Sequence, residues 1–254
     1  MFEKTLDIVK KAGNILKEGY FESKEVTLKG KKDLVTTYDI KIEEFLKEKL
    51  SVFNTKFLAE ESLFTEDLSD TFIIDPIDGT TNFAHQVPHC AISLAYYKNG
   101  KPLFGIVYNP ILNELFYAKK GEGAYLNNEK ISVSILDNFQ RALIATGFPY
   151  SSAENEEDLN WVINKLHKIL PRCQDIRRLG SAALDLCYVA CGRFEGFYEI
   201  NLKPWDVAAG AFILQEAGGI VTNNYGEKYN IFEDRCIVGT NTEIHQNLVL
   251  LLEG

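Results

Sequence analysis

Apolar residues recur every three or four positions from the first turn of the chain. Phe2, Leu6, Val9, Leu16 and Tyr20 share one face and predict an amphipathic helix. A second stripe of Ile42, Phe45, Leu46, Leu50 and Phe53 predicts another helix after Asp39. The pattern then changes. Residues 56–59 and 71–75 read as short strands, the first ending at Glu60-Glu61 and the second at Pro76. Proline has no N–H for a ladder, so the strand is expected to stop there and turn. Segments 90–98 and 101–108 flank Asn99-Gly100, a pair that accepts the positive φ angles of a tight hairpin. Segments 114–119 and 123–126 continue in the same style, giving antiparallel sheet with helices on one side.

The second half alternates differently. A strand over 142–147 is followed by a helix over 154–170 that closes at Pro171. That helix opens on Glu154, Glu156, Glu157 and Asp158, acids that complement the positive end of a helix. A helix over 181–191, a strand over 193–199 and a helix over 205–217 come next, the last stopped by Gly218-Gly219. Strands at 220–222 and 236–239 precede a final helix carrying Ile244, Leu248 and Leu251. The expectation is an α+β chain of layered helices and sheets, one domain over 1–254 with a soft internal boundary near residue 150.

Composition narrows the partners. The 254 residues are 46% hydrophobic and 25% charged, which suits a globular protein and excludes global disorder. With 27 basic against 36 acidic residues, the net charge of −9 argues against broad capture of nucleic acid or adhesion to an acidic membrane. No apolar run reaches the roughly 20 residues of a membrane span. The charged N-terminal helix does not read as a signal peptide. Five cysteines without a CxxC pair indicate neither a disulfide framework nor a thiolate zinc site, and a cytoplasmic location is expected. Cys187 and Cys191 read as small core residues. His85, His89, His167 and His245 match no zinc spacing.

The chemistry concentrates in Phe72-Ile73-Ile74-Asp75-Pro76-Ile77-Asp78-Gly79-Thr80-Thr81-Asn82-Phe83. An apolar strand delivers Asp75 to a sheet edge, Asp78 follows, Gly79 permits a tight backbone, and Thr80 or Thr81 suits the N-cap of a short helix. Two carboxylates near a helix start repel by about 4 kcal/mol at 4 Å and an effective dielectric of 20. A hard cation such as Mg²⁺ relieves that repulsion. The same residues also make a good plain surface turn. Glu60 ends another strand, and Asp206 opens a helix of small residues, where it either satisfies the helix dipole or binds metal.

Together, Glu60-Glu61-Ser62, the Asp75-to-Phe83 run and Trp205-Asp206-Val207-Ala208-Ala209-Gly210 resemble the inositol monophosphatase family of lithium-sensitive, magnesium-dependent phosphatases. The resemblance runs from Asp33-Leu34-Val35-Thr36 to Gly218-Gly219, and Arg178-Leu179-Gly180-Ser181-Ala182-Ala183-Leu184-Asp185 is similar to the bacterial members. It implies a layered αβαβα sandwich of the sugar-phosphatase type and two to three Mg²⁺ ions. Glu60, Asp75 and the Ile77 carbonyl would hold the first ion; Asp75, Asp78 and Asp206 the second. A third, weaker ion would use Glu60 with a water link to Asp39. Glu60, Thr80 and Asp39 would orient the attacking water. Gly79, Thr80, Gly180, Ser181, Ala182 and Glu199 would contact substrate, with Glu199 accepting a ring hydroxyl. Lys29 matches a lysine near the phosphate only with a one-residue gap; Lys29, Lys31 and Lys32 otherwise read as a solvated loop. Arg177-Arg178 suits substrate phosphate, a subunit interface or surface ion pairs.

The resemblance further implies a likeness to enzymes that hydrolyse inositol 1-phosphate to inositol and phosphate, act as homodimers and are inhibited by Li⁺. Fructose 1,6-bisphosphate, histidinol phosphate and phosphoadenosine phosphate compete as substrates, because specificity sits in loops such as 147–155 and 176–180. A reading of another class, an accessory protein of the transcription or translation machinery, also stands among the bacterial members.

Overall fold

The computed structural model describes residues 1–22, 26–28, 34–62 and 66–253. Lys29, Lys31, Lys32 and Asp33 therefore lie outside the described residues. Helix α1 (Phe2–Phe21) buries Leu6, Val9, Leu16 and Tyr20 as the periodicity predicts. A two-stranded ribbon of β1 (Val26–Leu28) and β2 (Leu34–Thr36) leads into α2 (Thr37–Leu50). This helix begins before Asp39, not after it. Thr36 is its N-cap, and Asp39 closes a capping box by accepting the Thr36 N–H at 2.8 Å.

Both helices cover one face of a seven-stranded sheet. Its strands run β3 (Lys56–Ala59), β4 (Asp70–Asp78), β5 (Ala91–Lys98), β6 (Lys101–Asn109), β7 (Glu114–Lys119), β8 (Gly123–Leu126) and β9 (Glu129–Ile131). The β5–β6 turn holds Asn99 at φ 51° and Gly100 at φ 70°, as its dipeptide requires. Two expectations are corrected here. The first pair, β3 with β4, is parallel, although the rest of the sheet is antiparallel. In addition, β4 does not end at Pro76. The ladder slips between Asp75 and Asp78 and resumes with Asp78 opposite Ala91. The irregularity needs no N–H from Pro76, so the strand bends through the proline and carries both aspartates on one rigid element.

A second sheet has the order β11 (Asp175–Arg177), β10 (Leu143–Thr146), β12 (Gly196–Ile200), β14 (Cys236–Thr240), β13 (Ile220–Thr222). Helices α5 (Ala182–Ala190) and α6 (Pro204–Glu216) fill the space between the sheets and are apolar nearly all round. They pack Leu186, Ile213 and Leu214 with Ile73 and Val107 of one sheet and Phe197 and Ile237 of the other. Helices α4 (Glu156–Ile169) and α7 (His245–Leu252) cover the outer face of the second sheet through Ile169, Leu248 and Leu252, with Trp161 partly buried there. The layers are thus αβαβα. Among the described residues no helix is long and apolar enough to cross a membrane.

Candidate active site

Parallel pairing of β3 and β4 brings the C-terminal ends of both strands to the same edge. Ala59 lies opposite Ile74, and the Glu60 N–H donates to the Ile74 carbonyl at 3.3 Å. Glu60 therefore arrives beside Asp75, with which it hydrogen-bonds. Asp78 follows on the bent end of β4, Glu199 comes from β12, and Asp206 from the first turn of α6. Glu60, Asp78, Glu199 and Asp206 line one cavity of about 680 Å³ together with Gly79, Gly180, Ser181 and Ala182. Asp75, Ile77, Thr80 and Asp39 are buried and do not line it.

Each acid is fixed by backbone or side-chain donors. Asp75 Oδ1 accepts the Ile77 N–H at 3.0 Å. Asp78 Oδ2 accepts the Ser181 hydroxyl at 2.5 Å and the Ala183 N–H at 2.8 Å, so the start of α5 is docked on the β4 turn. Asp206 Oδ2 accepts the Lys203 N–H at 2.6 Å. Asp206 thus caps its own helix, which meets the helix-dipole reading, and its other surroundings include the Asp78 and Glu60 charges. Neither Thr80 nor Thr81 is the N-cap of α3 (Thr80–Ala84); Gly79 is, at φ 90°. A β-carbon at Gly79 would lie 2.9 Å from the His89 carbonyl oxygen and 3.0 Å from that of Gly180, so the close approach excludes a side chain. The cap role being filled by Gly79, the Thr80 hydroxyl is used elsewhere. Its one proton is shared between two acceptors, the Ile77 carbonyl at 2.9 Å and Asp39 Oδ1 at 3.1 Å.

Burial and mutual repulsion dominate the electrostatics. Burial, then the Glu60, Asp78 and Asp206 charges, push the Asp75 carboxyl well above the usual carboxylate range. Asp206 rises well above it for burial and for Asp78 and Glu60, despite the Lys203 N–H. Asp78 rises to about 6, burial exceeding the help of Ser181 and Ala183. Glu199 rises to about 8 through burial and the Asp185 charge, against the pull of Arg178. Asp39 reaches about 6, burial outweighing its bonds to Thr36 and Thr80.

Four carboxylates from four chain segments therefore crowd one cavity edge at a cost in free energy. Among the described residues no three Asp, Glu, His or Cys side chains are gathered closely enough to grip a single ion. Asp78 and Asp206 each turn one oxygen to a protein donor. The chemistry of the set, all hard carboxylate oxygens with a backbone carbonyl nearby, nevertheless fits a hard divalent cation and does not fit a thiophilic one. Among the described residues no cysteine lines the cavity; Cys187 is buried in the core between the sheets, and the cysteines form no disulfide.

Of the two sequence arginines, Arg178 lines the cavity with its guanidinium 5.4 Å from the Phe148 ring, while Arg177 pairs with Asp175 at 2.5 Å. Three structural supports have no counterpart among the residues expected from sequence. Asn82 Nδ2 donates to the His89 carbonyl at 2.7 Å and the Leu179 carbonyl at 2.8 Å, joining the aspartate turn to the 179–182 segment. Its place inside the Asp75-to-Phe83 run is the available signal. Glu43, buried on α2, accepts the Glu61 N–H at 2.8 Å and so holds the loop that carries Glu60. Asp185, one turn into α5, stands 3.4 Å from the buried His89 ring nitrogen and acts on both Asp78 and Glu199. Glu43 has no sequence signal beyond an acid on an apolar helix face, whereas Asp185 ends the 178–185 run that the sequence singles out, with no role assigned to it there.

The profile of the inositol monophosphatase family matches residues 2–253. An inositol-1-monophosphatase of Caulobacter vibrioides is 37% identical over 96% of this chain and 97% of its own length. A protein of Vibrio cholerae named Nus factor SuhB is 41% identical over 85% of this chain and 82% of its own. The crystal structure of the extragenic suppressor protein suhB from Bartonella henselae superposes with a TM-score of 0.92 at 39% identity, covering 99% of this chain and 98% of that one. Matched from end to end in sequence and in fold, the chain belongs to the inositol monophosphatase family, whose members are phosphoric monoester hydrolases.

Proposed function

We propose that this chain hydrolyses a small polyol phosphate, inositol 1-phosphate foremost, with Mg²⁺ as its cofactor. The observation that carries the reading is the convergence of Glu60, Asp75, Asp78 and Asp206 beside a cavity whose wall includes Glu199. In this reading Glu60, Asp75 and the Ile77 carbonyl would hold one ion and Asp75, Asp78 and Asp206 another, with Glu60 and Asp39 serving a weaker third. When bound, Mg²⁺ supplies neutralisation of the acids and of the phosphate, and acidifies a water for in-line attack.

The chain's own groups do the positioning. Thr80 has one proton, directed at Asp39 Oδ1 and the Ile77 carbonyl, which leaves its oxygen lone pairs to accept a hydrogen from the attacking water. In that relay a proton leaves the attacking water for the Thr80 oxygen as the Thr80 proton passes to Asp39, whose carboxyl burial raises to about 6. Ser181 and the Ala183 N–H fix Asp78, and Gly79, Gly180 and Ala182 let backbone approach the phosphate. Glu199 accepts hydroxyls of the alcohol.

The test is phosphate release from inositol 1-phosphate, fructose 1,6-bisphosphate, histidinol phosphate and phosphoadenosine phosphate, with Mg²⁺ and with chelator. Inositol 1-phosphate is expected to turn over fastest, Li⁺ to inhibit, and chelator to abolish the reaction. Asp75→Asn is expected to lose about a thousandfold or more in kcat/KM, as removal of a central electrostatic group does, while remaining folded. Near-normal Mg²⁺-dependent turnover by that variant sinks the metal assignment. The reading also carries a cytoplasmic location, checked by cell fractionation, and a homodimer, checked by light scattering of the purified protein. The relatives named Nus factor keep a second reading open, an accessory protein of the transcription machinery. A net charge of −9 and a complete acid set favour hydrolysis.

A further inference from the structure

Asp158 sits in the first turn of α4, where Asn155 caps the helix, and its sequence position assigns it to the helix dipole. Its surroundings assign it more. The side chain is only 4% exposed. Oδ1 pairs with Arg235 Nη2, Oδ2 accepts Asn201 Nδ2 at 2.8 Å, and the Ser151 hydroxyl bonds the same carboxylate. These partners come from three separate segments: the 3-10 turn Tyr150–Ala153, the turn between β12 and α6, and the residue before β14. All three line the cavity, and Asp158 lies behind them.

The partners are also bonded to one another. Asn201 Nδ2 donates to Ser151 Oγ at 3.0 Å, Arg235 Nε to Asn201 Oδ1 at 3.3 Å, and the Asn201 N–H to the Arg235 carbonyl at 2.8 Å. Asn201 is the critical joint. It follows Glu199 by two residues, holds a left-handed φ of 62°, and enters the turn whose Lys203 N–H fixes Asp206. The spacing between Glu199 and Asp206 thus runs through the residue that Asp158 grips. Burial pushes the Asp158 carboxyl up, but the bonds from Ser151, Arg235 and Asn201 outweigh it and hold the group below its usual range, ionised.

We propose that Asp158 is a positioning residue for substrate selection: its buried carboxylate ties the 151, 201 and 235 segments into one wall and sets the shape of the cavity around the alcohol of the phosphate ester. The proposal rests on the phosphatase reading above. The phosphate end has its own fastenings, Ser181 to Asp78, Thr80 to Asp39 and the Lys203 N–H to Asp206, none of them made to Asp158 or its three partners, so the alcohol side is where loss of Asp158 is felt first.

The test uses the Mg²⁺-loaded full chain with Asp158→Asn and Asp158→Ala, assayed on inositol 1-phosphate and on p-nitrophenyl phosphate, whose alcohol carries no further hydroxyl. Expected is a rise in KM for inositol 1-phosphate of about tenfold with kcat within about threefold, and a KM for p-nitrophenyl phosphate within about twofold, the pattern of lost binding without lost chemistry. If Asp158→Ala does not fold, Asp158→Asn carries the comparison. Equal losses on both substrates show a scaffold role only and overturn the proposal. Hydrogen exchange gives an arm independent of turnover: amides at 150–153 and at Asn201 are expected to lose protection together, with 75–84 and the Lys203 amide unchanged. Unchanged protection in either loop overturns the tie. A wild-type chain that cleaves neither ester overturns the phosphatase reading and the claim about the alcohol with it.

Discussion

Gly147 carries no side chain because Glu199 stands where one would go: a β-carbon there would collide with both oxygens of that carboxylate. Gly147→Ala is expected to displace Glu199, at an overpacking cost of about 1–3 kcal/mol. Thermal melts check the stability, and a KM for inositol 1-phosphate that rises more than kcat falls checks the displacement. Thr80 offers a cleaner separation. Thr80→Val keeps the shape and removes the hydroxyl between Ile77 and Asp39. Its expected loss is about a hundredfold in kcat, the scale of general acid–base assistance, with the Mg²⁺-induced rise in Tm intact. A lost metal shift in that variant assigns Thr80 to the ion rather than to the water. At this scale the sequence is most legible where one residue type has few uses. Asp75-Pro76-Ile77-Asp78-Gly79 marks the turn, but the N-cap falls to Gly79 because its φ of 90° suits glycine and leaves the Thr80 hydroxyl free to bridge. Asp158 is hidden for the opposite reason, since an acid at a helix start has an adequate local explanation that masks three distant partners.

Element α2 shows how one local motif serves two ends. Thr36 caps it, and the Thr36 N–H and hydroxyl both donate to Asp39 Oδ2, at 2.8 and 2.5 Å, leaving Oδ1 for Thr80. Thr36→Ala is expected to cost about 1 kcal/mol as a lost cap, seen as a lower Tm. It is also expected to lower kcat several-fold, because Asp39 loses one of the two donors that aim its other oxygen. A melt that drops with kcat unchanged confines Thr36 to the helix. The helix stripe is readable from residue spacing, yet spacing places the start after Asp39, because apolar periodicity says nothing of polar first-turn residues. Strand β4 gives the matching error. A proline in sequence reads as a stop, whereas the ladder irregularity between Asp75 and Asp78 makes its missing donor harmless. That bend is what carries Asp78 round to meet Ser181 from another part of the chain.

Across the whole molecule, the acid cluster ties stability to pH and to metal. Asp39 and Asp78 have folded pKa values near 6 against an ordinary 3.8, and Glu199 near 8 against 4.5, all raised first by burial. Well below these ordinary values the groups are protonated in both states. As pH rises the unfolded chain ionises first, so stability falls until pH passes the folded values. A tenfold change in proton affinity between the two states corresponds to about 1.4 kcal/mol. Buried His89, lowered to about 4 from 6.5, opposes the acids up to pH 6.5, so in chelator the Tm is expected to fall most clearly from pH 6.5 to 8, and Mg²⁺ to flatten that slope by favouring the ionised acids. Asp158 and Asp175, held below the usual range, act only at more acid pH and leave this window alone. A slope that Mg²⁺ does not change argues against an ion at these acids. Asp75→Asn is expected to weaken both the fall and the rescue. The amino-acid sequence by itself determined the elements, because helix and strand periods are local, and it determined which carboxylates were available. It did not decide their meeting. Parallel pairing of β3 with β4, the docking of α5 on Asp78 and the turn through Asn201 depend on contacts between residues more than a hundred positions apart in the extreme. Those contacts exist only once two sheets close on α5 and α6, and with them come the burial and repulsion that raise the acids' affinity for protons.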